Sequence, residues 1–221
     1  MNRHFIFLLS CILLWSYTSP TIALANDKPS EEEIIQQRMT YFVQFGELLI
    51  PWHFLAAIDQ YERNLQSVRK DIPKRDGIIA IQFSDEYWSG ALNPIKEDTS
   101  PETISYFGGM GLDGNGDGIA SPADDADVIF SMANFLSKFG TTDEDFKLAL
   151  WDYYGSEEAV NQIFTISTMY RHFKTTELDA HTFQFLQITI TVIEVLGEIT
   201  EAGVDDASMK EQIFSLVMEL L

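Results

Sequence analysis

The chain has 221 residues, of which 46% are hydrophobic, and its formal net charge at pH 7 is -20. This length suits one domain with at most a small addition, and the apolar content is sufficient for a hydrophobic core. The strong negative charge argues against nucleic acid as a partner. No second long apolar run follows the N-terminus, which excludes a polytopic membrane protein.

The N-terminus has the pattern of an export signal. Arg3 precedes an apolar run over residues 5–15, and Ala23-Leu24-Ala25 offers a small-x-small cleavage site. We therefore predict a signal peptide over residues 1–25 and a secreted or cell-wall-associated protein. Membrane contact is expected only if this segment stays uncleaved. The sole cysteine, Cys11, would leave with the signal, so the mature chain would have no disulfide and no thiolate for catalysis or zinc.

The first half of the mature chain predicts two helices and one strand. Ser30 and Glu33 form a capping box for a helix that runs to about Leu49. A second helix is predicted over residues 50–64, with Pro51 at its first position, followed by a loop over 66–77. The β-branched run 78–83 predicts a short strand.

The second half of the chain predicts three further helices. The first runs from Asp127 to Phe139, and Thr142 and Ser156 have the pattern of N-caps for the other two, over about 146–154 and 157–173. Residues 88–94 have no regular pattern, and Tyr87 and Trp88 could either stack on a ligand or pack in the core. The fold is therefore predicted to be mainly α with a small β element near Ile78.

Glu62 is the candidate catalytic residue on the second helix. A carboxyl group beside aromatic residues and a second acid, Asp59, would have a raised pKa and could act as a general acid. The alternative is that Glu62 lies on the solvated side of the helix and pairs with nearby arginines. The helix alone favours this alternative.

The most specific motif is a candidate calcium loop over residues 113–124. Its positions 1, 3, 5, 7, 9 and 12 all supply oxygen atoms, and Gly118 falls at the turn position 6. Aspartate replaces the usual closing glutamate, and no helix is predicted before the loop. The alternative is a run of Asx and Gly turns held by its own side chains. The predicted Ca²⁺ ligands are Asp113, Asn115, Asp117, the carbonyl of Ile119, Ser121 and Asp124.

Two stretches carry a resemblance to a known family. Leu55-Ala56-Ala57-Ile58 followed by Glu62 resembles the catalytic helix of lytic transglycosylases, and Gly109-Met110-Gly111 is similar to their glycan-cleft element. The similarity runs from about Ile50 to Phe183. It is closest to the transglycosylase-like module that precedes an M23 metallopeptidase in two-module cell-wall proteins of Bacillus type. The resemblance implies a lysozyme-like domain over residues 26–183.

The resemblance also implies roles for particular residues. Glu62 would be the general acid and base, and Asp59 would raise its pKa. The Gly-Met-Gly element would line the floor of the glycan cleft. Arg63 departs from the family pattern, where Ser or Thr commonly follows the glutamate. The implied substrate-binding residues are Gly109, Met110, Gly111, Tyr153 and Tyr154.

Residues 184–221 fall outside the resemblance. The relatives continue into a metallopeptidase with an Arg-Arg-x-His-x-Gly-x-Asp zinc motif, which is absent here in frame, so no Zn²⁺ is expected. Codons can be chosen for residues 184–221 that encode a metallopeptidase-like sequence when they are read one base out of phase. This reading requires that a single lost base be restored near Gln184. We therefore predict a frameshifted tail that is poorly ordered or loosely docked. The alternative is a genuine helix pair over 191–196 and 208–221.

Three hypotheses of function follow from the sequence. The first is an exported lytic transglycosylase that cuts the MurNAc–GlcNAc bond of peptidoglycan glycan strands with Glu62. The second is a non-catalytic module that binds glycan strands for a metallopeptidase, which the departure at Arg63 favours. The third is the product of a broken gene.

Overall fold

The structure is a computed structural model that describes residues 29–69, 75–172, 181–184 and 187. The predicted signal segment and most of the predicted tail lie outside the described residues. Within the described ranges the longer elements are all helices, which confirms the mainly α prediction. The helices are α1 (Glu31–Leu49), α2 (Trp52–Val68), α3 (Asp85–Ser89), α4 (Pro101–Tyr106), α5 (Asp125–Ser137), α6 (Asp143–Tyr154) and α7 (Glu157–Arg171).

Helix α2 lies at the centre of the domain. It packs against α7 and α1 along much of its length and also contacts α5. Every residue from His53 to Glu62 is buried, so the helix has no solvated face over nearly three turns. Pro51, predicted as the first helical residue, is the N-cap residue, so the helix begins one position later, at Trp52. The helix continues to Val68, so residues 66–68 are helical and the loop predicted to begin at residue 66 begins later.

The predicted caps of the later helices are confirmed. Thr142 and Asp145 form a reciprocal capping box at the start of α6, and Gly155 ends that helix in the left-handed conformation with φ of 61°. The side chain of Ser156 accepts a hydrogen bond from the amide of Ala159 at the start of α7. Sequence-local capping chemistry therefore sets the ends of these helices.

The short strand predicted over residues 78–83 is wrong. The segment is neither helix nor strand and has no strand partner among the described residues. Its polar backbone groups bind side chains instead. The Asp125 carboxylate accepts the amides of Ile78 at 3.0 Å and Ile79 at 3.2 Å, and the Asp59 carboxylate accepts the amide of Ala80 at 2.5 Å.

The carbonyl groups of the same segment are also bound by side chains. Arg63 donates to the carbonyl of Ile78. The other acceptors are the carbonyls of residues 79, 80 and 82, which receive bonds from Arg75, Gln66 and Tyr153 respectively. These side chains satisfy backbone groups that a neighbouring strand would otherwise have to satisfy, so a segment outside any sheet can be buried here.

Two short helices, α3 and α4, lie in a region for which no helix was predicted. The Ser84 and Ser100 side chains cap them by accepting the amides of Tyr87 and Thr103. Trp88, on α3, is 2% exposed and belongs to the hydrophobic core. Of the two alternatives for Trp88, packing in the core is therefore the one observed.

Phe183 is fully buried in the same core, and its ring stacks on Tyr170 with the ring centres 5.4 Å apart. Just beyond it, the Gln187 side chain accepts a hydrogen bond from Arg38 at 3.0 Å. The prediction of a loosely docked tail otherwise concerns residues outside the described part of the chain. No helix among the described residues is both long and apolar enough to span a membrane.

Candidate functional site

The Glu62 carboxyl group lies at the end of the buried stretch of α2 and is 8% exposed. The hydroxyl of Tyr154, on α6, donates a hydrogen bond of 2.7 Å to its Oε1 atom. The alternative that placed Glu62 on a solvated side among arginines is therefore wrong. The neighbouring Arg63 turns to Asp59 and to the carbonyl of Ile78 instead.

Burial raises the pKa of Glu62 from 4.5 to about 7. The hydrogen bond from Tyr154 opposes this shift because it stabilises the carboxylate, and the charge of Asp59 adds to it. At neutral pH the protonated and ionised forms of Glu62 are therefore similarly populated. A carboxyl group in this condition can both donate and accept a proton.

Tyr153 and Tyr154 lie beside Glu62, within a cluster of aromatic rings. The ring of Tyr154 packs edge-on against Tyr61 at 5.3 Å and against Tyr153 at 4.9 Å. The hydroxyl of Tyr153 donates to the carbonyl of Gln82 at 2.6 Å. Both predicted tyrosines are thus brought to the site, but each hydroxyl group binds a protein atom.

Asp59 lies one turn before Glu62 on α2 and is fully buried. Its carboxylate is bound by Arg38 from α1, by Arg63 at 3.0 Å and by the amide of Ala80 at 2.5 Å. Burial acts to raise its pKa, but the two arginine charges and the hydrogen bonds outweigh burial and lower the pKa below its usual value. Asp59 therefore stays ionised while Glu62 is partly protonated.

Arg38 is the site residue that sequence reasoning missed. It is 3% exposed and reaches Asp59 from a helix 21 residues earlier in the chain. The spacing of Asp59 and Arg63, four residues apart on one helix, could have revealed their ion pair. Nothing local to Arg38 indicates its partner, because that contact depends on how α1 packs on α2.

The Gly-Met-Gly element packs against the second half of α3. The amide of Met110 donates to the carbonyl of Tyr87 at 2.8 Å, and that of Gly111 donates to the carbonyl of Trp88 at 3.0 Å. A side chain at Gly111 would collide with the Trp88 ring, so this close approach requires glycine. The Tyr87 ring in turn packs on Tyr153 at 5.2 Å. The element thereby adjoins the tyrosine cluster through Tyr87.

The candidate calcium loop is held by its own acidic and amide side chains. The Asp113 carboxylate accepts the amides of Gly116 at 2.6 Å and Gly118 at 2.7 Å, and these bonds lower its pKa. Asn115 accepts the amide of Asp117 at 2.9 Å. These contacts are the Asx turns of the alternative interpretation. They also hold the side chains of loop positions 1 and 3 close to the turn.

Two further carboxylates close the loop. Asp127, which is buried, accepts the amides of Gly114 at 2.7 Å and Ser121 at 2.8 Å, and burial raises its pKa despite these bonds. Asn115 donates to Asp124 at 3.2 Å, so loop positions 3 and 12 lie close together. No three His, Cys, Asp or Glu side chains converge as metal ligands within the described ranges. The predicted set also draws on Asn, Ser and carbonyl oxygens, and calcium binding stays a prediction.

Comparison with known proteins gives one informative result. No family model matches the chain, and no solved structure matches it. The chain is 35% identical over 178 residues to the L-Ala--D-Glu endopeptidase of Bacillus subtilis (strain 168), a match that covers 80% of this chain. It covers 54% of the Bacillus protein, so the chain spans about half the length of this relative. Over most of its own length the protein is therefore similar to about half of the Bacillus endopeptidase.

Proposed function

We propose that this protein acts on peptidoglycan and cleaves the MurNAc–GlcNAc bond of glycan strands as a lytic transglycosylase, with Glu62 as general acid and base. The observation that carries the proposal is the buried Glu62 carboxyl group, held by Tyr154 and with a pKa of about 7. A group of this kind suits proton transfer to a glycosidic oxygen near neutral pH.

The proposed reaction needs one proton donor. Glu62 transfers its proton to the bridging oxygen as the bond from that oxygen to the anomeric carbon breaks. The 6-hydroxyl group of the same MurNAc then bonds to the anomeric carbon and returns its proton to the Glu62 carboxylate. The products are a GlcNAc end with a free hydroxyl group and a 1,6-anhydro-MurNAc end, so no water is consumed.

The surroundings of Asp59 agree with a single working carboxyl group. Glycosidases of the ordinary kind use two carboxyl groups that flank the scissile bond. Asp59 is fully buried and bound by Arg38, Arg63 and the amide of Ala80. It is therefore engaged on the protein side and unsuited to attack a sugar. The nucleophile in the proposed reaction comes from the substrate instead.

The Bacillus relative supports peptidoglycan as the substrate and an extracytoplasmic location. A bond between L-Ala and D-Glu is characteristic of peptidoglycan stem peptides, and the relative is named for cleaving it. Nearly half of the relative lies outside the match. This observation favours a second candidate function, in which the shared half binds glycan strands and presents stem peptides to a peptidase located elsewhere.

Digestion of purified peptidoglycan tests the two functions. The mature chain and its Glu62→Gln variant are incubated with sacculi at pH 6, and the soluble products are analysed by mass spectrometry. If the protein is a transglycosylase, the wild type should produce 1,6-anhydro-MurNAc ends, and the variant should produce them about 10²- to 10⁴-fold more slowly. The exposed Glu86→Gln variant is the matched control and should retain activity.

Other outcomes of the same digestion are equally informative. The binding module would be supported if the glycan stays intact and both the wild type and Glu62→Gln sediment with the sacculi. New amino groups on D-Glu without anhydro ends would show peptide cleavage and contradict the glycan reaction. Neither binding nor cleavage would contradict both candidate functions.

We also propose that the loop over residues 113–124 binds Ca²⁺ through the predicted oxygen ligands. The proposal is supported by the Asp113 and Asn115 side chains, which fold over the turn, and by the proximity of Asn115 to Asp124. Such a loop on an extracellular module commonly binds Ca²⁺ in the range of about 10⁻⁴ to 10⁻³ M. Isothermal titration of Ca²⁺ into the chelator-treated protein tests it, and an absence of binding at millimolar Ca²⁺ would contradict it.

A further inference from the structure

Asp59 and Glu62 are joined by a continuous path through the segment 78–82. The Asp59 carboxylate holds the amide of Ala80 at 2.5 Å, and two residues later the carbonyl of Gln82 accepts the hydroxyl of Tyr153 at 2.6 Å. Tyr153 packs on Tyr154, whose hydroxyl binds Glu62. Each link in this path is a hydrogen bond, a covalent bond or a ring contact.

Three side chains from α2 help to position this segment, together with Asp125, Arg75 and Tyr153. The segment has no strand partner in the described part of the chain, and Asp59, Arg63 and Gln66 from α2 bind its backbone at residues 78 and 80. Asp59 binds Arg63 as well as the segment. Loss of its carboxylate would therefore release one backbone amide and loosen the arginine that holds a neighbouring carbonyl.

We propose that Asp59 is a positioning residue, which acts on Glu62 through the segment 78–82 and the Tyr153–Tyr154 pair and not as a charge beside it. The proposal rests on the proposed function of Glu62. Arg38 and Arg63 both lie against the Asp59 carboxylate and offset its negative charge. Geometry is therefore the larger part of its influence, because small displacements of a catalytic group cost large factors in rate.

The two modes of action make different predictions for the Asp59→Asn variant. The amide side chain keeps the shape of aspartate but binds the arginines less tightly, because it lacks the charge. If Asp59 acts by position, kcat for anhydro-MurNAc release falls about tenfold or more even at pH 5, where Glu62 is protonated in both proteins. If Asp59 acts by charge, kcat at pH 5 equals that of the wild type and only the alkaline limb of the pH profile moves to lower pH.

Tyr153→Phe tests the same path from its other end. This substitution removes the bond to the carbonyl of Gln82 without changing any charge. We expect a similar fall in kcat. In the double variant with Asp59→Asn, kcat should fall no further than in the more impaired of the two single variants. Fully additive losses, or an unchanged kcat in Tyr153→Phe, would overturn the proposal. If Asp59→Asn does not fold, the Tyr153→Phe result decides alone. The exposed Tyr106→Phe variant is the matched control.

A second readout does not require activity. Tyrosine labelled with ¹³C reports the ring environment of Tyr154 by NMR, and we expect its signals to move in Asp59→Asn but not in Asp143→Asn, which breaks an exposed pair with Arg171. Unmoved Tyr154 signals would contradict the positioning path. Moved signals in a protein without transglycosylase activity would contradict the proposed function and leave the path intact.

Discussion

Asp59 and Glu62 lie one turn apart on the same helix, and both are buried, yet their pKa values are shifted in opposite directions. Asp59 is surrounded by two arginines and a backbone amide, whereas the partner of Glu62 among the described residues is a neutral hydroxyl group. Burial disfavours both charges, and only at Asp59 do the partners compensate for it. The difference shows that the donors around a buried carboxylate decide its protonation.

The largest expected effect concerns the partners of Asp59. Replacement of Arg38 by Met leaves the buried Asp59 with Arg63 as its remaining cation within the described ranges, and we expect a loss of about 3–5 kcal/mol in the free energy of unfolding. Urea denaturation at pH 7 measures it. The matched control is Arg171→Met, which breaks an exposed pair with Asp143 and should cost no more than about 1 kcal/mol. Similar losses in the two variants would contradict the central role of Arg38.

The next effect concerns the stability cost of ionising Glu62. The folded-state pKa of Glu62 is raised from 4.5 to about 7, so its contribution to stability is present below pH 4.5 and is lost as the pH rises through 7. A shift of this size corresponds to on the order of 3 kcal/mol. Glu62→Gln should therefore gain stability relative to the wild type between pH 4.5 and pH 8. Urea denaturation at both pH values measures the gain. If the two proteins differ by the same free energy of unfolding at both pH values, the pKa of Glu62 is not raised.

The candidate calcium loop extends the comparison to exposed carboxylates. Asp113 binds backbone amides, which lower its pKa, as arginines do for Asp59. A cation bound there would replace some of these bonds, and we expect millimolar Ca²⁺ to raise the melting temperature by a few degrees over chelator-treated protein. Asp113→Ala should abolish the rise. Mg²⁺ is the control ion, and an equal rise with Mg²⁺ would indicate a general effect of divalent cations.

The smallest expected effect concerns the hydrogen bond from Tyr154 to Glu62. Tyr154→Phe removes the donor that lowers the pKa of Glu62, so the pKa should rise. The alkaline limb of the pH profile for anhydro-MurNAc release should then move to higher pH by up to about one unit. A limb that moves to lower pH would show that Tyr154 does not stabilise the carboxylate.

Much of the helical fold could be predicted from sequence because its signals are local. Thr142 and Ser156 mark helix starts by their own hydrogen bonds, and Gly155 marks an end. The β-branched residues of segment 78–83 predict a strand by their local preference, whereas the side chains that bind the segment, Asp59, Asp125 and Tyr153, come from separate helices. Those contacts exist only after the helices have packed.

The candidate site was only partly predictable. Helical periodicity assumes one solvated face, which favoured an exposed Glu62, but α2 is buried on all sides from His53 to Glu62. The resemblance to transglycosylases identified Glu62 and the two tyrosines that adjoin it. It assigned Asp59 an effect on the pKa of Glu62, and that charge contributes less to the shift than burial does. The lysozyme-like fold stays a prediction.

The most direct test of this account is a ¹³C NMR titration of the carboxyl groups in the labelled protein, with Glu62→Gln and Asp59→Asn used to assign the two signals. We expect Glu62 to titrate near pH 7. We expect the pKa of Asp59 to lie below the usual range of an aspartate. A Glu62 that titrates near pH 4.5, as an exposed glutamate does, would contradict the claim that this carboxyl group is prepared for proton transfer.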